Sequence, residues 1–385
     1  MILGIDASNI SAGGGVTHLV ENLHNTDPSK FDIDKVVIWS GSKTLAKIEN
    51  KPWIIKHESK MLNKSLFYRV LWQLFSFDKQ IQKECDILIS LGGLYFGKFR
   101  PYISMSRNML IFDDIERNRY GISYTNIRLR ILKTLQIRSF KKAEGTIFVS
   151  EYAKKYITPK LKFKLKSDII IYHGTSDIFK QFPKPQKDIS DYTKYKPYKL
   201  LYVSSIDEYK HQWNLVEAVA NLRESGYYIE LQLIGWKKSR PYKKFLKVLE
   251  KRDPNNLFIK YYGPVSYNNI LEYYKNADAF VYASTCENMP NILIEAMSAG
   301  LPIACSNYGS MPEILGEAGI YFNPTSVLET EKALELLVKN LELRKLISFA
   351  AYFRSKNFDW KKCSTETFSY ISNIYKTFKL NNTIQ

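Results

Sequence analysis

The chain of 385 residues is 45% hydrophobic and 24% charged, which excludes one small module and the low-hydrophobicity signature of disordered chains. Its 56 Lys and Arg against 38 Asp and Glu give a net charge of +18, a field that draws substrate phosphates, polyanions and anionic lipid surfaces. Cys85, Cys286, Cys305 and Cys363 show no CxxC or Cys/His ligand spacing, so neither a disulfide framework nor a zinc site is expected, and a reducing cytoplasm fits.

In chain order, short apolar runs alternate with helical periodicity, the pattern of a doubly wound, mostly parallel sheet. Strands are expected at 2–6, 35–39, 86–91, 102–106, 145–150 and 169–173, then at 199–205, 229–235, 257–263, 279–284 and 302–306. Asp6 interrupts the N-terminus before any apolar stretch of signal-peptide length, and no run approaches the roughly 18 apolar residues of a spanning helix. Pro183, Pro185 and Pro197 mark a polar linker between two α/β domains. From about Leu328 to Leu380 only helices are expected, followed by a polar tail.

Several local motifs carry little. Gly13-Gly14-Gly15 follows the first strand and opens an amphipathic helix, where backbone amides can meet an anion. As a dinucleotide fingerprint it fails, because His18 takes the place of the third glycine and 33–37 offers no acidic ribose partner. Gly41-Ser42-Lys43-Thr44 lacks the leading glycine of a phosphate loop and reads as a turn. Asp113-Asp114 reads as a loop or helix cap rather than a cation site. No histidine pair has metal spacing, and only His18 and His173, near turns, stand out. Lys160 to Lys166 alternates basic and apolar residues, as a half-exposed strand does.

The informative stretch is 282–304, which reads strand, loop, helix, strand. The helix starts near Pro290-Asn291 and stops at Gly300, with Pro302 beyond. Glu287 falls in the loop and Glu295 about one turn inside the helix, so two carboxylates bracket a positive helix end. Carboxylates accept hydrogen bonds from vicinal diols, and a helix N-terminus stabilises a pyrophosphate. Such a site suits a phosphorylated sugar.

Glu287 to Pro302 resembles the retaining GT-B glycosyltransferases of sequence family 4, whose Glu-x7-Glu is followed by Ala-Met-x-x-Gly-Leu-Pro. The resemblance extends over 199–360, through the strand and loop ending at Lys210, Ile234-Gly235, Gly263-Pro264-Val265, Gly309-Ser310-Met311-Pro312-Glu313 and Phe358-Asp359-Trp360. In the first half it rests on Gly13-Gly14-Gly15 and Tyr172-His173-Gly174.

The resemblance implies an α/β architecture of two Rossmann-like domains facing a cleft, with C-terminal helices crossing back to the first. The expected division is an acceptor domain at 1–180, a linker at 181–198, a donor domain at 199–360 and a returning helix at 361–385. The implied reaction moves a sugar from a UDP or GDP donor to a hydroxyl of a glycan or lipid-linked glycan with retention, using neither a metal nor a further cofactor. Lys210, Glu287 and Asn108 are expected to be catalytic. Donor binding is assigned to Gly14, Gly15, Ser205, Lys210, Gly235, Val265, Glu287, Asn288, Met289, Asn291, Ile292 and Glu295. Two features depart from the family: Ser204 and Ser205 stand where an arginine often precedes the lysine, and Arg107 or Asn108 falls where a histidine is usual. The charge and the absence of a spanning segment place the expected acceptor on an anionic membrane surface at the cytoplasmic face. A nucleotide-sugar epimerase is the alternative within the fold. A nucleic-acid-binding protein would account for the charge, but no recognised motif supports one, and no nucleic-acid partner is expected.

Overall fold

A computed structural model describes residues 1–11, 13–64 and 66–383. Ala12 beside the glycine turn and Ile384 and Gln385 of the expected tail lie outside the described residues. In chain order the elements are β1 (Ile2–Asp6), α1 (Gly14–His24), β2 (Lys35–Ser40), α2 (Ser42–Leu45), β3 (Ile54–Glu58), α3 (Leu66–Trp72), α4 (Asp78–Glu84), β4 (Ile87–Ser90) and β5 (Tyr102–Ser106). Then come α5 (Asp114–Asn118), α6 (Tyr124–Lys142), β6 (Gly145–Phe148), α7 (Glu151–Ile157), β7 (Asp168–Ile170), β8 (Tyr198–Val203), α8 (Gln212–Glu224), β9 (Ile229–Ile234), α9 (Ser239–Arg252) and β10 (Ile259–Tyr261). The chain ends with α10 (Tyr267–Asn276), β11 (Ala279–Tyr282), α11 (Asn291–Ser298), β12 (Ile303–Ser306), α12 (Met311–Leu315), β13 (Ile320–Phe322), α13 (Val327–Lys339), α14 (Leu341–Ser355) and α15 (Trp360–Thr383).

These elements form two compact units: 1–112 with 122–174 and 359–385, and 113–121 with 175–358. The first holds a parallel sheet ordered β3-β2-β1-β4-β5-β6-β7. Its centre is apolar on both faces, as crossover helices require, with Leu3 and Val36 paired in register and both fully buried. Trp39, Trp72, Phe77, Tyr95 and Tyr102 pack into an aromatic-rich core on this sheet. The second unit holds a parallel sheet ordered β10-β9-β8-β11-β12-β13.

Two strands escape the sequence pattern. β3 reads Ile-Ile-Lys-His-Glu at a half-buried edge, so no apolar run announces it. β13 is three residues long and likewise lies at an edge, that of the second sheet. The strand expected at 160–166 is absent: a 3-10 turn covers Thr158–Lys160 and the ladder resumes only at β7. Leu161 and Leu165 still point inward there, so the alternation reflects burial without pairing. Gly41 to Thr44 is not a bare turn but the start of α2, with Gly41 at the N-cap. Asp113 caps α5 by accepting from the Glu116 amide at 3.0 Å, as its sequence context indicated.

The proline-rich stretch packs into the second unit. Gln181 donates its amide to Ser298 O at 2.9 Å, and the Tyr192 hydroxyl donates to Asp278 at 3.0 Å. The return helix α15 belongs to the first unit: Ser364 Oγ donates to Asn22 O at 2.9 Å and the Tyr370 hydroxyl to Ser167 Oγ at 3.0 Å. Its start demands a glycine next door, since a Cβ on Gly174 would stand 2.2 Å from the Trp360 amide nitrogen. Gly174→Ala is therefore expected to destabilise the first unit by about 3 kcal/mol, in the range of overpacking against an unyielding neighbour. Denaturant unfolding followed by far-UV circular dichroism measures it, and an unchanged midpoint would show that α15 yields freely.

Candidate functional site

Parallel α/β sheets present ligand-binding loops at the carboxyl ends of their strands. In the second unit the expected donor residues gather along that edge: Ser205 and Lys210 after β8, Gly235 after β9, Val265 after β10, and Glu287 after β11. Asp207 caps the 3-10 turn Glu208–Lys210 by accepting from the Glu208 amide at 2.9 Å. Lys210 is 5% exposed, and its ammonium donates to a Glu287 carboxylate oxygen and to the Tyr282 hydroxyl oxygen, the latter at 3.2 Å. The same carboxylate oxygen accepts from the Tyr282 hydroxyl at 2.9 Å and Ser284 Oγ at 2.7 Å. Lys210 and Glu287 thus form a pair fixed by two hydroxyls. The Tyr202 hydroxyl, donating to Lys210 O at 2.9 Å, ties the loop back to β8.

Gly235 fits only as glycine. Its φ is 147° and a Cβ there would lie 2.1 Å from Ser204 O. This close approach brings the ends of β8 and β9 together, and the Gly235 amide donates to Gly263 O at 2.9 Å to draw in the loop that carries Val265.

The helix α11 starts after Pro290 with no side-chain cap, and its dipole leaves this end positive. Asn288 and Met289 are buried, and Asn291 and Ile292 are half-buried in the first turn. Glu295 lies one turn further, accepting from the Tyr274 hydroxyl at 3.0 Å. Burial pushes its carboxyl up to about 7, against the opposing effect of that hydrogen bond.

The remaining expected residues lie in the first unit. Gly14 and Gly15 open α1, and the Arg107 guanidinium donates to their carbonyl oxygens at 2.9 and 3.5 Å. Burial lowers Arg107 to about 10. Asn108 is exposed, and its Oδ1 caps a short 3-10 turn by accepting from the Leu110 amide at 3.1 Å. His18 is buried, 4.6 Å from the His173 ring and 5.9 Å from the Trp360 indole, and burial holds it well below the usual histidine range. A neutral, packed imidazole is a structural element.

Sequence reasoning missed Tyr202, Ser284, Tyr282 and Tyr274, which orient the charged groups. Ser284, three residues before Glu287 in a strand-end loop, was the available signal. It also missed that 113–121 joins the second unit, where the Tyr120 hydroxyl donates to Asp207 at 2.7 Å and Lys238 pairs with the same carboxylate. A recess of about 320 Å³ opens beside this segment, lined by Arg119, Glu208, Trp213, Arg240 and Lys244. Arg119, Arg240 and Lys244 thus gather around Glu208, two residues before Lys210. Among the described residues no group of three His, Cys, Asp or Glu stands arranged for a metal ion.

Residues 185–353 match the family model of glycosyl transferases group 1. The matched residues all lie in the second unit. The chain is 31% identical over 128 residues to O-antigen chain mannosyltransferase B of Escherichia coli, covering 33% of this chain and 32% of that protein. It thus spans about a third of that relative's length. Over 98% of its own length and 100% of the other, it superposes on sucrose-phosphate synthase from Thermosynechococcus elongatus with a TM-score of 0.77 at 14% identity. Anabaena HepE, solved in complex with UDP and glucose, matches over 97% of this chain and 100% of that one with a TM-score of 0.70 at 16% identity. The fold, two α/β units each on a parallel sheet, is that of the GT-B proteins.

The raised Glu295 carboxyl gives a test of the site's electrostatics. Between its ordinary 4.5 and about 7 the folded chain holds a proton that the unfolded chain has lost. Its contribution is therefore fully present at low pH and is lost as pH rises through about 7, with a slope of at most about 1.4 kcal/mol per pH unit. The stability difference between wild type and Glu295→Gln, measured by urea unfolding across this window, should move against wild type with rising pH. A flat difference would place the carboxyl in its ordinary range.

Proposed function

We propose that the chain is a glycosyltransferase of cell-surface polysaccharide or glycolipid assembly. It takes a sugar from a UDP or GDP donor and transfers it, with retention, to a hydroxyl of a glycan or lipid-linked glycan. The observation that carries this reading is the Lys210–Glu287 pair beside the uncapped start of α11, with Glu295 one turn along. One bond breaks, from the sugar's anomeric carbon to the diphosphate, and one forms to the acceptor oxygen, whose proton passes to the departing diphosphate. Charge develops on the departing diphosphate, where a preorganised ammonium and the positive end of a helix act most strongly. Lys210 and the first turn of α11 supply that stabilisation. Glu287 orients the donor sugar and Glu295 accepts from the ribose hydroxyls. From the first unit, the glycine turn at Gly14 and Gly15 contributes to diphosphate binding. Asn108, whose Oδ1 is engaged in capping, offers its amide nitrogen to the sugar.

The name of the Escherichia coli relative, an O-antigen chain mannosyltransferase, supports a surface-glycan acceptor, and the UDP and glucose bound to HepE support a nucleotide-sugar donor. We assign the enzyme no metal. Its working place is the cytoplasmic face of the inner membrane, as a peripheral protein on anionic lipid. Among the described residues no helix is long and apolar enough to cross a membrane.

Thermal unfolding with UDP, GDP and ADP in turn identifies the base, because a ligand at 100 times its dissociation constant adds about 2.7 kcal/mol. The shift given by one nucleotide should shrink in Glu295→Ala. No shift with any of the three would remove the support for a donor site. Lys210→Ala is expected to lower turnover by about 100-fold or more, the effect of deleting one charge-stabilising donor. Near-normal turnover in that variant would overturn the assigned role. Product analysis without acceptor separates transfer from epimerisation.

A further inference from the structure

Helix α6 of the first unit carries an apolar stripe on its solvent side. Its inward residues are Leu129 and Phe140 together with the polar Asn126, Gln136 and Ser139. Their polar atoms are bound within the unit: Gln136 Nε2 donates to Met105 O at 3.2 Å, and Ser139 Oγ accepts from the Tyr95 amide at 3.0 Å. Those bonds fix the helix's rotation. The opposite face shows Tyr124, Ile127 and Ile131 to solvent at 77%, 57% and 55% exposure, with Ile122, just ahead of the helix, fully exposed. Spacings of three and four residues place Tyr124, Ile127 and Ile131 in one stripe. Turning this stripe inward would break the polar bonds and bury the cations, so the apolar face is a fixed outward feature.

Charge selects its occupant. The helix carries Arg128, Arg130, Lys133, Arg138, Lys141 and Lys142 and no Asp or Glu. Arg128 and Arg130 flank the apolar stripe, and Arg138 and Lys142 continue its line toward the C-terminus. A second copy presenting the same face would bring like charges together. An anionic bilayer accepts both parts at once, taking the isoleucines at the acyl boundary and pairing the cations with headgroups.

We propose that the outward face of α6, from Ile122 to Lys142, docks the protein in the plane of an anionic lipid surface. This rests on the membrane-surface part of the proposed function and is independent of its transfer chemistry. The test is sedimentation of the full chain with phosphatidylcholine vesicles, with and without about one third phosphatidylglycerol. The wild type should bind only the anionic vesicles. Arg128→Gln with Arg138→Gln should weaken binding by about 25-fold, fivefold per charge at the surface. Ile127→Ser with Ile131→Ser should weaken it by about tenfold or more at unchanged charge. Thermal melts check that both variants fold, and the arginine pair, which removes no packing, serves if the isoleucine pair does not. Full binding by both variants would overturn the assignment to α6 while leaving membrane association standing. No vesicle binding by wild type would overturn both. A dimer in sedimentation velocity that the isoleucine pair abolishes would give the face to a second copy and overturn the lipid reading.

Discussion

Taking an ammonium out of water costs several kcal/mol unless an anion meets it with its remaining hydrogen bonds satisfied. Lys210 is that ammonium in the second unit, and the need to meet it organises what surrounds it. Glu287 supplies the charge, while Tyr282 and Ser284 fill the carboxylate's other directions. The lysine comes from the loop after β8 and its partners from the end of β11 and the loop beyond. The pair is possible only because those strands are neighbours, with Leu201 opposite Phe280. Sheet order thus precedes site chemistry. The pair also leaves the ammonium polarised and immobile before any substrate arrives, so little reorganisation remains when a diphosphate departs.

The first unit handles positive charge differently. Arg107 has carbonyl oxygens for partners at the glycine turn, and the nearby His18 is kept neutral by burial. A guanidinium bound only to neutral acceptors retains its full charge toward an approaching anion. The two units therefore hold distinct kinds of cation: one compensated by a carboxylate, one uncompensated and held by backbone.

Much of this was legible in the sequence because it follows from periodicity and spacing. The central strands announce themselves as apolar runs, since helices cover both faces of a parallel sheet. Glu287 and Glu295 could be placed around one helix start because Pro290 and Gly300 punctuate it. The rest was hidden for physical reasons. An edge strand such as β3 has one neighbour and tolerates Lys56, His57 and Glu58, so no hydrophobic signal survives. The hydroxyls that hold Glu287 are common residues whose role exists only in three dimensions. Local pattern also could not show that a short segment near Asp113 packs with residues almost a hundred positions away, as Tyr120 does on Asp207. The outward stripe of α6 illustrates the converse, since Tyr124, Ile127 and Ile131 have helical spacing and would ordinarily be taken for core.

The interleaving of the two units sets an order of events during synthesis. The first unit includes 359–385, which are made after every segment that the second unit uses. Domains tend to fold as they emerge. Here the earlier-made sheet must wait for α15, so the later-made unit can be complete first. Until then, the surface of α1 that receives Ser364 and Phe31 that meets Phe368 stay uncovered, an interval of exposed apolar surface.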